Sequence, residues 1–452
     1  MTIQTFFAKL QHGFLGVLTS RLPSRLRIVS TGRGLALCML VIHFAAFTSF
    51  TCADWPEFRG PKQNGESAIV DLPTRWGESE NVVWFSKTTG LGWSSPIVLG
   101  DRIYFTSSIN AEETATESGE LRGRQRLCLV CLNAETGAEV FSKIIFEQPD
   151  DAPKIHNKNS HASPTPLIEN QRVYVHFGHQ GTACTDLDGN VLWQNRDHAF
   201  PPTHGNGGSP VMAGSNLILT CDGGDSPYTL ALDLKTGQEV WKTSRGIKTD
   251  RPFSFCTPQV ISVNGVSQII SPGSDIVQAL APLDGSVIWS VRYDGFSVVP
   301  RPLFHRGTLF VCTGFMNTKL LAIDPSGSGD VSETHVKWIY GTGVPQTPSI
   351  LAIGDQIVMV SDNGIASIID ITTGKEKSRK RLGGNFSASP LLSGDKVYFQ
   401  GESGESLVFQ IGDALKEISR NKLPGRIFAS YSVVDRDLII RAEQGVYRIG
   451  QP

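Results

Sequence analysis

From residue 81 onward, apolar residues come in short runs that are either alternating or continuously apolar, each closed by Gly, Asp or Asn. One stretch shows the unit. Residues 258–263, 267–271, 277–282 and 287–291 read as four successive strands, with Asp284-Gly285 supplying the positive φ that a tight hairpin needs between the last two. Runs this short, with a period of two, exclude a helical repeat.

The unit recurs. Its fullest copy runs Ala231, Asp233, Thr236, Gly237, Trp241, and degenerate copies pair Gly137 with Phe141, Gly189 with Trp193 and Gly285 with Trp289, the aromatic always four residues after the glycine. A serine or threonine, in one repeat an arginine, opens each repeat and is usually followed by proline: Ser95-Pro96, Ser163-Pro164, Ser209-Pro210, Thr257-Pro258, Arg301-Pro302, Thr347-Pro348, Ser389-Pro390 and, without proline, Ser430-Tyr431. The openings lie ~40–50 residues apart, a propeller-blade period, apart from a longer first gap that holds a polar insertion over 109–125. The last repeat has room for three strands, and residues 81–87, which carry Trp84, have no blade of their own. Joining the two ends in one sheet closes the ring and removes the open edge. The expectation is an all-β, eight-bladed β-propeller of four-stranded antiparallel blades over 81–452, closed by an N-terminal strand in the C-terminal blade. Trp84, Trp193, Trp241, Trp289 and Trp338 are expected on outer strands, wedged between blades.

The motif Ala231-x-Asp233-x-x-Thr236-Gly237-x-x-x-Trp241 resembles the tryptophan-docking repeat of the pyrroloquinoline quinone (PQQ)-like propeller superfamily, and the chain from about Trp55 onward is similar to exported bacterial members of it. The same fold serves a non-catalytic lipoprotein of outer-membrane assembly and quinone-dependent dehydrogenases. For an alcohol dehydrogenase, the resemblance implies a vicinal cysteine pair beside the quinone, calcium held by Glu, Asn and Asp, and a catalytic Asp. This chain has no adjacent cysteines. Sugar-type quinoproteins do without them, so PQQ with calcium stays as the alternative cofactor set.

Composition narrows the partners. The net charge is −2, and residues 1–53 hold five basic and no acidic residues, leaving a mildly acidic remainder that argues against nucleic acid. Those 53 residues read as a signal peptide, with a basic start, an apolar run over 35–50 and small residues before Asp54, or as an uncleaved signal anchor that would hold the protein at the membrane. Residues 54–80 form a lead segment. The expected location is periplasmic or extracellular. Cys128, Cys131, Cys184, Cys221, Cys256 and Cys312 lie singly in strand-like runs and read as buried thiols; the odd offset of Cys128 and Cys131 puts them on opposite faces of a strand.

In a propeller, the loops before the inner strands and those between second and third strands open on one face, around the channel. Here those loops combine His, Asn, Asp and Arg with Gly, while the opposite turns are plain Asp-Gly or Thr-Gly. A concave site with convergent polar groups is the usual binding site. The candidates are His161, His204, Asn206, Asp222, Arg301, Asp362, Asn363 and Asn385. The other reading of such residues is ordinary Asx-type bonding within loops. His161, His179 and His204 could converge as a metal triad, though hydrogen-bonded neutral imidazoles are the plainer reading. No nucleophile elbow, zincin motif or phosphate loop is present. The expected function is binding of a protein partner or small ligand at the channel mouth, without catalysis; the alternative is a PQQ-dependent oxidoreductase.

Overall fold

Among the described residues these apolar runs build thirty-four short strands, most with alternating or fully buried patterns. The computed structural model describes residues 54–110, 123–150 and 153–450. The proposed signal over 1–53 and most of the polar insertion lie outside them. Among the described residues no helix is long and apolar enough to cross a membrane.

The strands form eight sheets. Blades one to seven follow chain order, spanning 97–148, 167–195, 211–244, 259–292, 303–340, 351–381 and 391–422. Blade eight takes Ser432–Val434, Asp437–Ala442 and Gly445–Ile449, and Val82–Lys87 pairs antiparallel with the last of these as its outer strand. The predicted closure is therefore present. Two blades gain a fifth strand: Gly329–Asp330 runs parallel to Trp289 and Ser290 on the outer edge of blade four, and Glu66–Ser67 runs parallel to Leu392 and Ser393 on the inner edge of blade seven.

Adjacent blades share their apolar cores. One cluster joins Leu217, Leu230 and Leu232 of blade three to Tyr174 and Cys184 of blade two, and another joins Val291 of blade four to Val311 of blade five. Cys128 and Cys131 fall in different clusters, on either side of blade one. All six cysteines of the described residues are buried and unpaired with one another.

In blades eight, one, two, three and five an aromatic of the outer strand rides on the next blade's turn glycine. A Cβ at Gly137, Gly237 or Gly374 would stand 2.4–2.7 Å from the ring of Trp84, Trp193 or Trp338, and one at Gly285 would stand 2.4 Å from Trp241. Each of these glycines has φ near +70°, a region open to glycine at little cost. The indole N–H then donates to the carbonyl three residues before that glycine: Trp84 to Ala134, Trp193 to Leu234, Trp241 to Pro282 and Trp338 to Ile371, at 3.0–3.2 Å. Trp289 departs from the pattern. It is fully buried and donates to Gln268 Oε1 of its own blade at 2.9 Å, because the next blade replaces the short turn with the longer segment that carries Gly329 and Asp330.

Two expected repeat openings shift by two residues. The positions equivalent to Ser95 are Thr165 and Ser349, not Ser163 and Thr347, as the interblade hydrogen bonds below demonstrate.

Candidate functional site

At the start of seven of the eight inner strands, a backbone N–H finds its acceptor on the next blade. Ser95 N–H donates to Thr165 Oγ1, Thr165 to Ser209 Oγ and Ser209 to Thr257 Oγ1, each at 2.9 Å. Arg301 N–H donates to Ser349 Oγ, Ser349 to Ser389 Oγ, Ser389 to Ser430 Oγ and Ser430 back to Ser95 Oγ, at 2.9–3.0 Å. Seven hydroxyls thus encircle the axis, and the eighth place belongs to Arg301.

Arg301 turns its guanidinium away from the ring, into the channel. Nε donates to Pro258 O at 3.0 Å, Nη1 to Phe58 O at 2.6 Å and Nη2 to Glu57 Oε2 at 3.3 Å. This clamps the lead segment, which fills the channel. Trp55 pairs with Val98 of blade one, Pro56 O accepts from Ile168 N of blade two, and Gly65 O accepts from Leu392 N of blade seven. Arg59 Nη2 reaches Ile350 O at 2.7 Å, and burial lowers its guanidinium to about 9, Arg301 adding to the effect. The channel is plugged from the side opposite the mouth.

What remains above the plug is a blind cup of about 500 Å³, with Phe58 and all seven ring hydroxyls at its base. Its wall is aromatic. His156, His204, Phe253, Phe296 and Phe315 follow one another edge to face, with centroids 5.4–5.8 Å apart. Trp93 and Phe428 pack at 4.7 Å on another stretch of the wall. These side chains come from the loops before inner strands, except Phe315, which lies between the second and third strands of blade five.

Charge at the rim is largely matched. Lys158 Nζ meets Glu402 Oε1 at 2.8 Å, and Arg426 meets Glu443 at 2.6 Å while lying over Trp93 and Phe428. Arg251 covers the Phe296 ring at 4.6 Å. Partial burial, with His204 and Lys158 nearby, lowers His156 and keeps its imidazole neutral at neutral pH.

Of the sequence candidates, His204 and Asp362 line the cup. Asp362 Oδ2 accepts from Gln346 N–H at 2.7 Å and Thr347 N–H at 3.3 Å. Asn206 sits outside it, its amide 3.2 Å from His179 Nδ1. His161 lies near His179, off the lining. Asn363 closes its own turn by accepting from Ser361 Oγ, and Asn385 is exposed at the rim, its carbonyl accepting from Glu402 N. Asp222 and Arg301 are buried below the surface. Asp222 forms a two-point ion pair with Arg245, at 2.9 and 2.8 Å, that ties blade three to Ser271 of blade four. A short polar residue in a Gly-rich loop reads the same from sequence whether it faces solvent or an arginine from a later strand. The aromatics and the hydroxyl ring went unnamed as site residues. The segments Arg251 to Phe255 and Phe296 to Arg301 already held the signal, since apolar rings in loops have no core-packing role of their own.

Neither a metal triad nor the quinone–calcium pair fits these residues. Among the described residues no three or more His, Cys, Asp or Glu are grouped to hold a cation. Asp362 is the one carboxylate lining the cup, and one of its oxygens is taken by two backbone donors. His179 and His204 point their contacts at Asn206 and at neighbouring rings.

The chain matches the family model described as outer membrane protein assembly factor BamB over residues 78–254 and 273–417. It is 21% identical over 246 residues to the outer membrane protein assembly factor BamB of Moranella endobia (strain PCIT), covering 53% of this chain and 60% of that protein. The match thus spans less than two thirds of that relative's length. The crystal structure of BamB from Moraxella catarrhalis has a TM-score of 0.53 at 14% identity, over 81% of this chain and 98% of that one. Quinohemoprotein alcohol dehydrogenase from Comamonas testosteroni has a TM-score of 0.62 at 11% identity, over 88% of this chain and 81% of that one. Both structural likenesses speak to fold.

Proposed function

Since the chain belongs to the family described as outer membrane protein assembly factor BamB, we propose that it is an exported, non-catalytic propeller scaffold that holds a protein partner or small ligand in its cup. The observation that carries this reading is the blind cup itself. It offers an aromatic wall and a hydroxyl floor, and among the described residues no three His, Cys, Asp or Glu are grouped to hold a cation. Sites of ~300–1,000 Å³ with mostly apolar lining and a few placed polar groups are the usual form of a binding pocket. His204 and Asp362 are the proposed polar contacts on the wall. Export follows from the basic and apolar pattern of residues 1–53.

The blades' outer strands are a weaker docking surface. Outer strands carry register breaks before their aromatics, as at Val191/Trp193 and Val82/Trp84, and bulged edges resist strand addition. Photocrosslinking separates the two surfaces. A benzophenone side chain in place of Phe296 or Phe428 should capture a ligand or partner in the producing cells, and one in place of Val240, exposed on an outer strand, should not. Capture from position 240 alone, or dye-linked oxidation of alcohols or sugars after addition of PQQ and calcium, would overturn the reading. N-terminal sequencing of the exported protein should begin at Asp54.

A further inference from the structure

The seven ring hydroxyls have a chemistry that their structural task leaves unused. Each oxygen accepts one backbone N–H. Among the described residues no protein acceptor takes the hydrogen of any of them. A hydroxyl that accepts from an amide is polarised into a better donor, and one lone pair on each oxygen remains. The floor of the cup is therefore a circle of groups that can each donate one hydrogen bond and accept another.

A bidirectional floor suits a particular kind of occupant. An anion would need free cations within reach of the base; Arg301 there is committed to Pro258, Phe58 and Glu57, and Arg59, which is off the cup's lining, spends Nη2 on Asn64 O and Ile350 O while its buried Nη1 meets no partner. Of the rim cations, Lys158 and Arg426 are matched by Glu402 and Glu443, while Arg251 lies over the Phe296 ring, outside the cup's lining. A purely apolar group would strand the seven donors, leaving each hydroxyl hydrogen without a partner. A polyol satisfies the floor, because its own hydroxyls donate and accept in turn. The walls agree. Phe253 and Phe296, with Trp93 and Phe428, present ring faces and edges against which the C–H faces of a pyranose pack.

We propose that the cup is a binding site for the end of an uncharged glycan, its sugar hydroxyls met by the ring of Ser95, Thr165, Ser209, Thr257, Ser349, Ser389 and Ser430, and its rings held between the aromatic walls. This rests on the reading of the cup as a binding site and names its ligand class.

Isothermal titration of the mature chain with maltotriose, cellotriose, chitotriose and mannotriose tests it. At least one should bind saturably. Phe296→Ala and Phe428→Ala, both at partly exposed positions, should each weaken binding by roughly fivefold or more. Ser389→Ala should weaken it similarly, and Ser389→Thr, which keeps the hydroxyl, should restore it. Circular dichroism confirms that each variant folds. No saturable heat from the four sugars, or binding indifferent to all three weakening variants, would overturn the proposal. If every sugar fails while a benzophenone at position 296 captures a protein, the glycan assignment falls and the binding cup stands. If neither sugar nor crosslink occupies the cup, both fall.

Discussion

Replacing Trp84 by alanine tests the docking of blade eight on blade one. The indole lies on Gly137 of blade one, where a Cβ would approach its Cδ2 to 2.7 Å, and its Nε1 donates to Ala134 O at 3.0 Å. Burying ~150 Å² of ring at ~25 cal/mol/Å² gives ~4 kcal/mol, and a partly collapsed unfolded chain trims that to ~3 kcal/mol. The lost hydrogen bond adds little, because Ala134 O also accepts from Arg448 Nη1 at 2.8 Å and is not orphaned. Gly137→Ala should cost ~1–2 kcal/mol for an L-residue at φ +72°, plus the clash with the indole. In the Trp84→Ala background the clash is gone and only the backbone cost remains. The double variant should therefore be at least ~1 kcal/mol more stable than the sum of the single losses predicts. Urea unfolding followed by far-ultraviolet circular dichroism reads all four proteins. Additive losses, or a Trp84→Ala loss under ~1 kcal/mol, would refute the docking of blade eight on blade one.

Two further outcomes follow from buried groups. Burial holds His179 down to about 4, helped by His161 and Arg196, and His176 down to about 3, helped by His179. Both are neutral in the fold but take up protons when unfolded, so their contribution to stability is complete above pH ~6.5 and is lost as pH falls from there toward 4. His179→Gln should flatten part of that fall in unfolding titrations, and an unchanged slope would contradict the assignment. Arg301→Met leaves the Glu57 carboxylate buried without its partner, at a cost of ~3–5 kcal/mol. It should also release the lead segment to protease between residues 54 and 67, and pairing it with Glu57→Gln should recover part of the loss; resistance equal to the parent would sink the clamp.

The architecture was readable in advance because its rules are local and repeated. A glycine at positive φ, an aromatic four residues later and a small residue opening the inner strand each have a short-range cause, and Val82–Lys87 was placed by counting strands. Register at the openings was less legible, since Ser163-Pro164 and Thr165-Pro166 are adjacent and only the hydrogen bond from Ser95 selects the second. Of the eight candidate residues, His204 and Asp362 line the cup and the other six do not. Asp222 and Arg301 look like surface groups until Arg245 and Glu57, 23 and 244 positions away, are brought to them. Pairings at such distances leave no trace in a window of sequence. The plug went unread for the same reason: residues 54–67 carry no repeat, and their contacts scatter over blades one, two, five, six and seven.

That scatter has a consequence for how the molecule is made. Propeller residues that leave the ribosome early have partners that arrive last, with Val82–Lys87 waiting for Gly445–Ile449 and Glu66 waiting for Leu392. Contacts so remote along the chain are slow to form. Maturation must therefore wait for the whole polypeptide to be delivered, and a stalled or truncated product is left with both a gaping seam and an unfilled bore.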